Sequence, residues 1–231
     1  NKNYVIFGKN GAGKTTLLKQ ISVNFFKNST VIPANRNVNP VNSEFISYHS
    51  NYTLNKMLED NNALFYLVRM MRNKDLDSWH GGIAFNNTLT NKFYNIFSSL
   101  CIDREVVNNE EFLYLKGKNI SEYSLVDGSD GEKSIVYIIL ATLLAPKDSF
   151  LFIDEPERHL NGALMRNLFD KLEDARPDLR FVYLTHITDF IESRKNVELI
   201  YLEKTSVYKQ WSFKKINDYK EISIDVFLSI E

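Results

Sequence analysis

The chain has 231 residues, of which 44% are hydrophobic and 25% charged, and its formal net charge is −1. This size predicts one domain, 1–231, with room for an insertion, and the charge excludes a globally basic surface for nucleic acid, though not a local basic patch. The lone cysteine, Cys101, excludes an internal disulfide, so we expect a cytoplasmic protein in which Cys101 is a small buried residue. The longest apolar run, 135–145, is too short to cross a bilayer, so we expect no membrane partner.

A glycine-rich loop lies close to the start of the chain. Residues 8–15 fit the phosphate-binding pattern G-x-x-x-x-G-K-[ST], after an apolar strand-like run at 4–7 and before apolar residues at helical spacing. Its N–H groups and the helix N-terminus would form an anion-binding nest. We expect this loop to contact nucleotide phosphates through Asn10, Gly11, Ala12, Gly13, Lys14, Thr15 and Thr16. Lys14 would reach the β- and γ-phosphates, and the Thr15 hydroxyl would ligate Mg²⁺.

Strands and helices alternate along the remaining chain. Helices are predicted at 13–26, 53–73, 88–100, 131–145 and 161–175, and strands at 30–34, 111–116, 149–153 and 181–184. A terminal hairpin is predicted from 197–203 and 207–213. This alternation predicts an α/β fold with a mostly parallel sheet flanked by helices, and a helical insertion at about 50–110.

An acidic pair follows the predicted strand 149–153. Asp154 and Glu155 would lie at the carboxyl edge of the sheet, where α/β folds bind ligands. Asp154 could hold Mg²⁺, directly or through water, and Glu155 could orient or deprotonate an attacking water. The alternative is a pair of acidic residues at the start of a helix, a common arrangement that the nearby P-loop disfavours.

Two further candidates end or begin predicted elements. Ser129 and Glu132 have the spacing of a capping box at the start of an apolar helix, and such an N-terminus, with Gly131, could also face a phosphate. His186 follows a buried strand, where a sensor of the γ-phosphate would lie. The alternative for His186 is an ordinary core or surface histidine.

In this order, these motifs resemble those of ATP-binding-cassette (ABC) ATPases. Residues 8–15 resemble Walker A, 129–132 the signature loop, 154–155 Walker B with the catalytic glutamate, and His186 the switch histidine. The resemblance implies ATP and Mg²⁺ as cofactors, with Glu155, His186 and Lys14 as catalytic residues. It also implies an ATP-dependent, head-to-tail homodimer or a larger homo-oligomer, in which Ser129 and Gly131 contact the ATP of a second copy. Asn161 stands where the D-loop aspartate would be, so that role is weaker here.

The sequences of these motifs are more similar to those of the SMC, RecF and OLD branch of ABC-type ATPases than to those of transporters. The signature reads Ser-x-Gly-Glu-Lys, and residues 154–160 resemble the D-E-P-E-x-H-L run of OLD-like ATPases, which are common in bacterial anti-phage systems. Residues 32–36 are similar to an I-P-x-x-R stretch of the same group. This branch implies an effector, a nuclease above all, and DNA as a further partner. No glutamine lies between the P-loop and the signature, and the open substitutes for the Q-loop glutamine are Asn35, Asn37, Asn42 and Glu44.

Three alternatives stay open at the level of the sequence. The chain could be the nucleotide-binding subunit of an ABC transporter, or a scaffold that uses ATP as a clip without hydrolysing it. Residues 214–231 are a possible linker to a further domain. Within them, 222–230 resemble a linker that leads into a Toprim-type nuclease domain in some defence ATPases, but they could equally form a terminal helix that covers the sheet. Because the chain begins at Asn1, without a methionine, we expect further residues before it.

Overall fold

The structure is a computed structural model that describes residues 2–24, 26, 28–36, 53–80, 87–101, 103–108, 113–205 and 210–216. The helices are α1 (Lys14–Asn24), α2 (Leu54–Glu59), α3 (Ala63–His80), α4 (Leu89–Leu100), α5 (Asp130–Leu144), α6 (Gly162–Ala175) and α7 (Thr188–Ser193). The strands are β1 (Asn3–Phe7), β2 (Thr30–Ile32), β3 (Arg104–Asn108), β4 (Leu113–Gly117), β5 (Ile120–Ser124), β6 (Phe150–Asp154), β7 (Arg180–Thr185), β8 (Val197–Lys204) and β9 (Trp211–Ile216).

The chain divides into two compact units. The first comprises Asn1–Ala34, Pro146–Phe169 and Pro177–Glu231, and the second comprises Asn35–Ala145 and Asp170–Arg176. The assignment of 1–231 as one domain and the insertion at 50–110 stay predictions. Asn37, Asn42, Glu44 and most of the predicted linker 214–231 lie outside the described residues.

The first unit contains a six-stranded sheet in the order β2-β6-β7-β1-β8-β9. Neighbouring strands from β2 to β8 run parallel, and only the β8–β9 pair is antiparallel. The register pairs Phe7 with Thr185 and Asp154 with Leu184, so β1, β6 and β7 end at the same edge. The predicted α/β class and mostly parallel sheet are confirmed.

Strand β7 shows why this sheet carries helices on both faces. Val182 and Leu184 pack into a core cluster with Leu17 and Leu18 of α1. The alternate residues Phe181 and Tyr183 lie on the opposite face, where Tyr183 contacts Phe169 of α6 and Phe190 of α7. Because side chains alternate along a strand, an uninterrupted apolar strand requires apolar partners on both faces.

The second unit is built around α5. Every residue of this helix from Ser134 to Leu144 is buried, and α5 contacts α2, α3 and α4. A helix that is apolar on all sides is stable only when it is covered on all sides, which explains the clustering of helices around it. The unit also contains a three-stranded antiparallel sheet, β3-β4-β5.

The predicted elements need several corrections. The single helix predicted at 53–73 is two helices, α2 and α3, because Asp60 ends α2 in extended backbone and its side chain accepts the Asn62 N–H at 2.7 Å. The strand predicted at 111–116 is β4, at 113–117, and the second hairpin strand is β9, at 211–216. Within the described ranges, no helix combines the length and hydropathy needed to cross a membrane.

Candidate functional site

The glycine-rich loop joins β1 to α1 in the first unit. Gly11 and Gly13 have φ angles of +78° and +88°, in the left-handed region that favours glycine. Lys14 is only 8% exposed, and its Nζ donates to the carbonyl oxygens of Gly8 and Lys9 at 2.8 and 3.1 Å. The ammonium is therefore held over its own loop, and its contact with nucleotide phosphates stays a prediction.

A hydroxyl and a carboxylate meet beside this loop. Thr15 Oγ1 donates to Asp154 Oδ2 at 2.6 Å, and Asp154 is 2% exposed at the end of β6. Hard oxygen donors of this kind suit Mg²⁺, which usually keeps waters and adds phosphate oxygens to one or two protein ligands. No cluster of three or more histidine, cysteine, aspartate or glutamate residues that could hold a metal occurs in the described part of the chain. Thr15 and Asp154 thus fit a Mg²⁺ ion that is shared with a nucleotide.

Glu155 occupies an unusual backbone conformation. Its φ angle is +46°, and its N–H donates to the Leu184 carbonyl at 2.9 Å, which ties the residue to the end of β7. The carboxylate is partly exposed and lies 3.4 Å from Arg158 Nη1. A non-glycine residue in the left-handed region is strained, and such strain concentrates at functional sites.

His186 lies beside a carboxylate that we did not predict as a site residue. Its Nδ1 lies 3.6 Å from Glu157 Oε1, an oxygen that also accepts the Thr185 hydroxyl at 2.9 Å. Thr185 Oγ1 in turn accepts the Ile187 N–H at 2.9 Å. Glu157 belongs to the quoted D-E-P-E run, so the sequence contained a signal for this residue. The run alone does not indicate which residue Glu157 contacts.

The electrostatics show that these charges lie close together. Burial lowers the pKa of Lys14, against the opposing charges of Asp154, Glu157 and Glu155. Burial and the charge of Lys14 lower the pKa of His186, and Glu155 opposes this shift. The arrangement therefore brings one lysine, one histidine and three carboxylates to a single edge of the sheet.

A tryptophan that the sequence did not single out also contacts the loop. Trp211 Nε1 donates to the Ala12 carbonyl at 2.9 Å.

Beside the loop lies a cavity of about 300 Å³. It is lined by Lys9, Asn10, Gly11, Ala12, Tyr201, Leu202, Glu203 and Lys204. Asn10, Thr15 and Thr16 are exposed, so these loop side chains are accessible to a ligand.

The other candidates from the sequence lie at the starts of helices. Ser129 caps α5 in the second unit: its N–H donates to Glu132 Oε2 at 2.8 Å and the Glu132 N–H donates to Ser129 Oγ at 3.3 Å, which confirms the capping box. Gly131 lies in the first turn of α5. Asn161 Oδ1 accepts the Leu164 N–H at 2.9 Å, so this residue caps α6.

Glu132 is also held from the antiparallel sheet of the second unit. Tyr123 Oη and Arg104 Nε donate to Glu132 Oε1 at 2.8 and 3.0 Å. Burial opposes the charge of Glu132, but the hydrogen bonds from Ser129, Tyr123 and Arg104 outweigh it and lower the pKa of this carboxyl.

Burial raises the pKa of the partly buried Cys101 thiol to about 11, so the thiol is protonated at neutral pH.

A mostly parallel sheet with a P-loop after β1 and an Asp-Glu pair at the end of β6 defines a P-loop nucleoside triphosphatase fold. The chain belongs to the family described as "AAA domain, putative AbiEii toxin, Type IV TA system", whose model matches residues 53–192, more than half of the chain. The match covers Ser129, Asp154, Glu155 and His186 but not the P-loop itself. The predicted ABC-type AAA ATPase resemblance is thereby confirmed.

One curated relative and several solved structures are similar to the chain. A protein of Mycoplasma genitalium named "Putative ABC transporter ATP-binding protein MG303" is 28% identical over 222 residues, which cover 95% of this chain and 56% of the relative. The SMC head domain from Thermotoga maritima has a TM-score of 0.45 at 17% identity and covers 67% of this chain and 52% of its own. An SmcHead bound to the C-winged helix domain of ScpA has a TM-score of 0.46 at 16% identity, over 57% of this chain and 43% of its own.

Proposed function

We propose that the chain binds ATP on the loop of residues 8–15 and hydrolyses it to ADP and phosphate. The observation that carries this proposal is the 2.6 Å contact between Thr15 and Asp154, next to the buried ammonium of Lys14. A hydroxyl, a carboxylate and an ammonium at the carboxyl edge of a parallel sheet form a set suited to a metal-bound triphosphate.

Each residue of the site has a distinct role in this proposal. The loop N–H groups and Lys14 bind the phosphates, and Thr15 with Asp154 would hold Mg²⁺. The ion would neutralise charge on the phosphate oxygens. Glu155 accepts a proton from the attacking water, whose oxygen forms a bond to the γ-phosphorus as the bond to ADP breaks. His186 contacts the γ-phosphate.

Turnover of Glu155→Gln tests this assignment. The substitution preserves size and hydrogen bonding but removes the proton acceptor, so we expect kcat to fall about 10²- to 10⁴-fold with ATP affinity retained. Glu192→Gln, at an exposed residue of α7, is the matched control and should hydrolyse ATP at the rate of the original chain. If Glu155→Gln turns over normally, Glu155 is not the base. If the original chain binds ATP without measurable turnover, the chain is better described as a scaffold that binds ATP without hydrolysing it.

We further propose that ATP joins two copies head to tail, or more copies in a larger homo-oligomer. The support is the resemblance to ABC ATPases together with the capped start of α5, where Ser129 and Gly131 present a helix N-terminus suited to a phosphate. In this arrangement the Ser129 loop of one copy contacts the γ-phosphate of ATP bound to the other.

The biological role that we propose is control of an effector in bacterial defence. The family description names an AbiEii toxin and a type IV toxin–antitoxin system, which supports a setting of this kind. The OLD-like run at 154–160 supports a Toprim-type nuclease as the effector, in a following domain or a separate partner, with DNA as its substrate and the cytoplasm as its location. Tagged full-length protein should then copurify with a nuclease.

An ABC transporter subunit is the second candidate. The relative from Mycoplasma genitalium, whose name refers to an ABC transporter, favours it over almost the whole length of this chain. The same copurification separates the two roles, because a transporter subunit would be recovered from the membrane fraction with a membrane-embedded partner.

A further inference from the structure

Trp211 joins the edge of the sheet to the phosphate-binding loop. The residue opens β9, opposite Lys204 of β8, and its indole Nε1–H donates to the Ala12 carbonyl at 2.9 Å. The ring also covers Gly13, because a Cβ at that position would lie 2.8 Å from Nε1 and 3.4 Å from Cε2. The indole thus contacts two consecutive loop residues, just before Lys14.

This hydrogen bond fixes the direction of one loop N–H group. A trans peptide is planar, so its C=O and N–H point in opposite directions. When the Ala12 carbonyl is turned toward the indole, the N–H of Gly13 in the same peptide unit is turned away from it. Gly13 has a φ angle of +88°, a conformation in which a side chain would be strained as well as in collision with the ring. The indole therefore selects one orientation of the peptide unit between Ala12 and Gly13.

We propose that Trp211 is a positioning residue that preorganises the loop for phosphate and that its fluorescence reports occupancy of the loop. The inference rests on the proposed ATP site. Without the indole, the 12–13 peptide could rotate, and binding would have to restore its orientation at a cost in affinity.

Nucleotide binding by Trp211→Phe tests the proposal, because phenylalanine retains an aromatic ring over Gly13 but has no N–H donor. We expect affinity for ATP-Mg²⁺, measured by calorimetry, to fall about three- to tenfold, the range for one hydrogen bond. KM should rise by a similar factor while kcat stays near its original value, since Trp211 touches none of the reacting atoms. An affinity within twofold of the original chain overturns the proposal.

Fluorescence tests the second part of the proposal, that the indole reports occupancy of the loop, and the split between KM and kcat tests its positioning role. The chain has two tryptophans, and Trp79 is 64% exposed on α3, so Trp79→Phe leaves Trp211 as the sole tryptophan, whose emission is excited selectively at wavelengths beyond tyrosine absorption. Trp79→Phe is also the matched control for binding. ATP-Mg²⁺ should change the emission of Trp79→Phe, because phosphate charge arrives beside the indole, whereas adenosine should not. If Trp211→Phe does not fold, this measurement decides alone, and unchanged emission at saturating ATP overturns the proposal.

Lys14→Ala separates this inference from the proposed function. In the Trp79→Phe background, Lys14→Ala should abolish both the heat of ATP binding and the emission change. If Lys14→Ala binds ATP as tightly as the original chain, the ATP site itself is wrong. If Lys14→Ala loses binding but Trp211→Phe does not, only the positioning role is wrong.

Discussion

At the scale of single residues, burial at the candidate site makes it costly in free energy to charge the basic side chains. Lys14 and His186 are both less readily protonated than in water because burial lowers the pKa of each, and the charge of Lys14 lowers the pKa of His186 further. Three carboxylates oppose this effect at Lys14. A bound triphosphate would supply further negative charge beside both groups, which would favour their protonated forms.

Stability should depend on pH through His186. Its pKa is lower in the folded chain than in the unfolded chain, so the unfolded chain binds more protons between the two values. The stabilising contribution of neutral His186 is complete above about pH 6.5, its ordinary pKa, and is lost as the pH falls through the folded value. We expect His186→Gln to lose less unfolding free energy than the original chain between pH 7.5 and 5.5, as measured by urea denaturation.

His80→Gln, at an exposed residue of α3, is the matched control for this measurement. It should leave the pH dependence unchanged. Equal losses in the original chain and in His186→Gln would show that the burial of His186 does not contribute to acid sensitivity.

At the scale of secondary-structure elements, the end of α5 is held by a buried cation. Arg176, 9% exposed, donates from Nη1 to the carbonyls of Thr142 and Leu143 at 2.7 and 3.0 Å and from Nη2 to that of Ala145 at 3.0 Å. Thr142 and Leu143 lie in the last turn of α5 and Ala145 is its C-cap, where carbonyls lose the N–H donors of a continuing helix. The Thr142 carbonyl also accepts the Ala145 N–H at 3.4 Å. A cation at this end also interacts favourably with the negative end of the helix dipole.

Arg176→Met should therefore destabilise the protein. We expect the free energy of unfolding, from urea denaturation, to fall by about 2–4 kcal/mol, because three buried carbonyls lose charged donors. Arg166→Met, at an exposed residue of α6, should change it by less than about 0.5 kcal/mol. A loss at Arg176 no larger than this control would mean that water replaces the guanidinium without penalty.

The sequence predicts the elements that have strong periodicity or motifs. The P-loop, α5 with its capping box, β6 and β7 are found within a residue or two of their expected bounds. Strands β3 and β5 escape prediction because their sequences, REVVN and ISEYS, are short and their burial is partial, which leaves little alternation. Glu157 and Trp211 are not predicted as site residues because their roles depend on contacts with residues 28 and 199 positions away in the chain, and no local sequence pattern encodes such contacts.

At the scale of the whole molecule, the head-to-tail assembly makes a direct prediction. Glu155→Gln should retain ATP, and because ATP supplies the shared phosphate contact, this variant should sediment as a dimer with ATP-Mg²⁺ and as a monomer with ADP. Adding Ser129→Arg, which introduces bulk and removes the cap of α5, should restore the monomer while ATP still binds.

Ser121→Arg, at an exposed residue of β5, adds the same side chain away from the start of α5 and should remain dimeric. A Glu155→Gln protein that stays monomeric at concentrations well above its ATP affinity would contradict this mechanism for the isolated chain.

The strand order of the parallel sheet has a consequence for synthesis on the ribosome. Strand β1 pairs with β7 and β8, which begin at Arg180 and Val197. At about 5–20 residues per second, β1 therefore waits roughly 10–35 s after its own translation before its first partner strand is made. Throughout that interval the apolar run Tyr4–Phe7 has two unpaired edges, which favour aggregation. Nascent chains stalled before residue 180 should therefore depend on chaperones more than the released protein does.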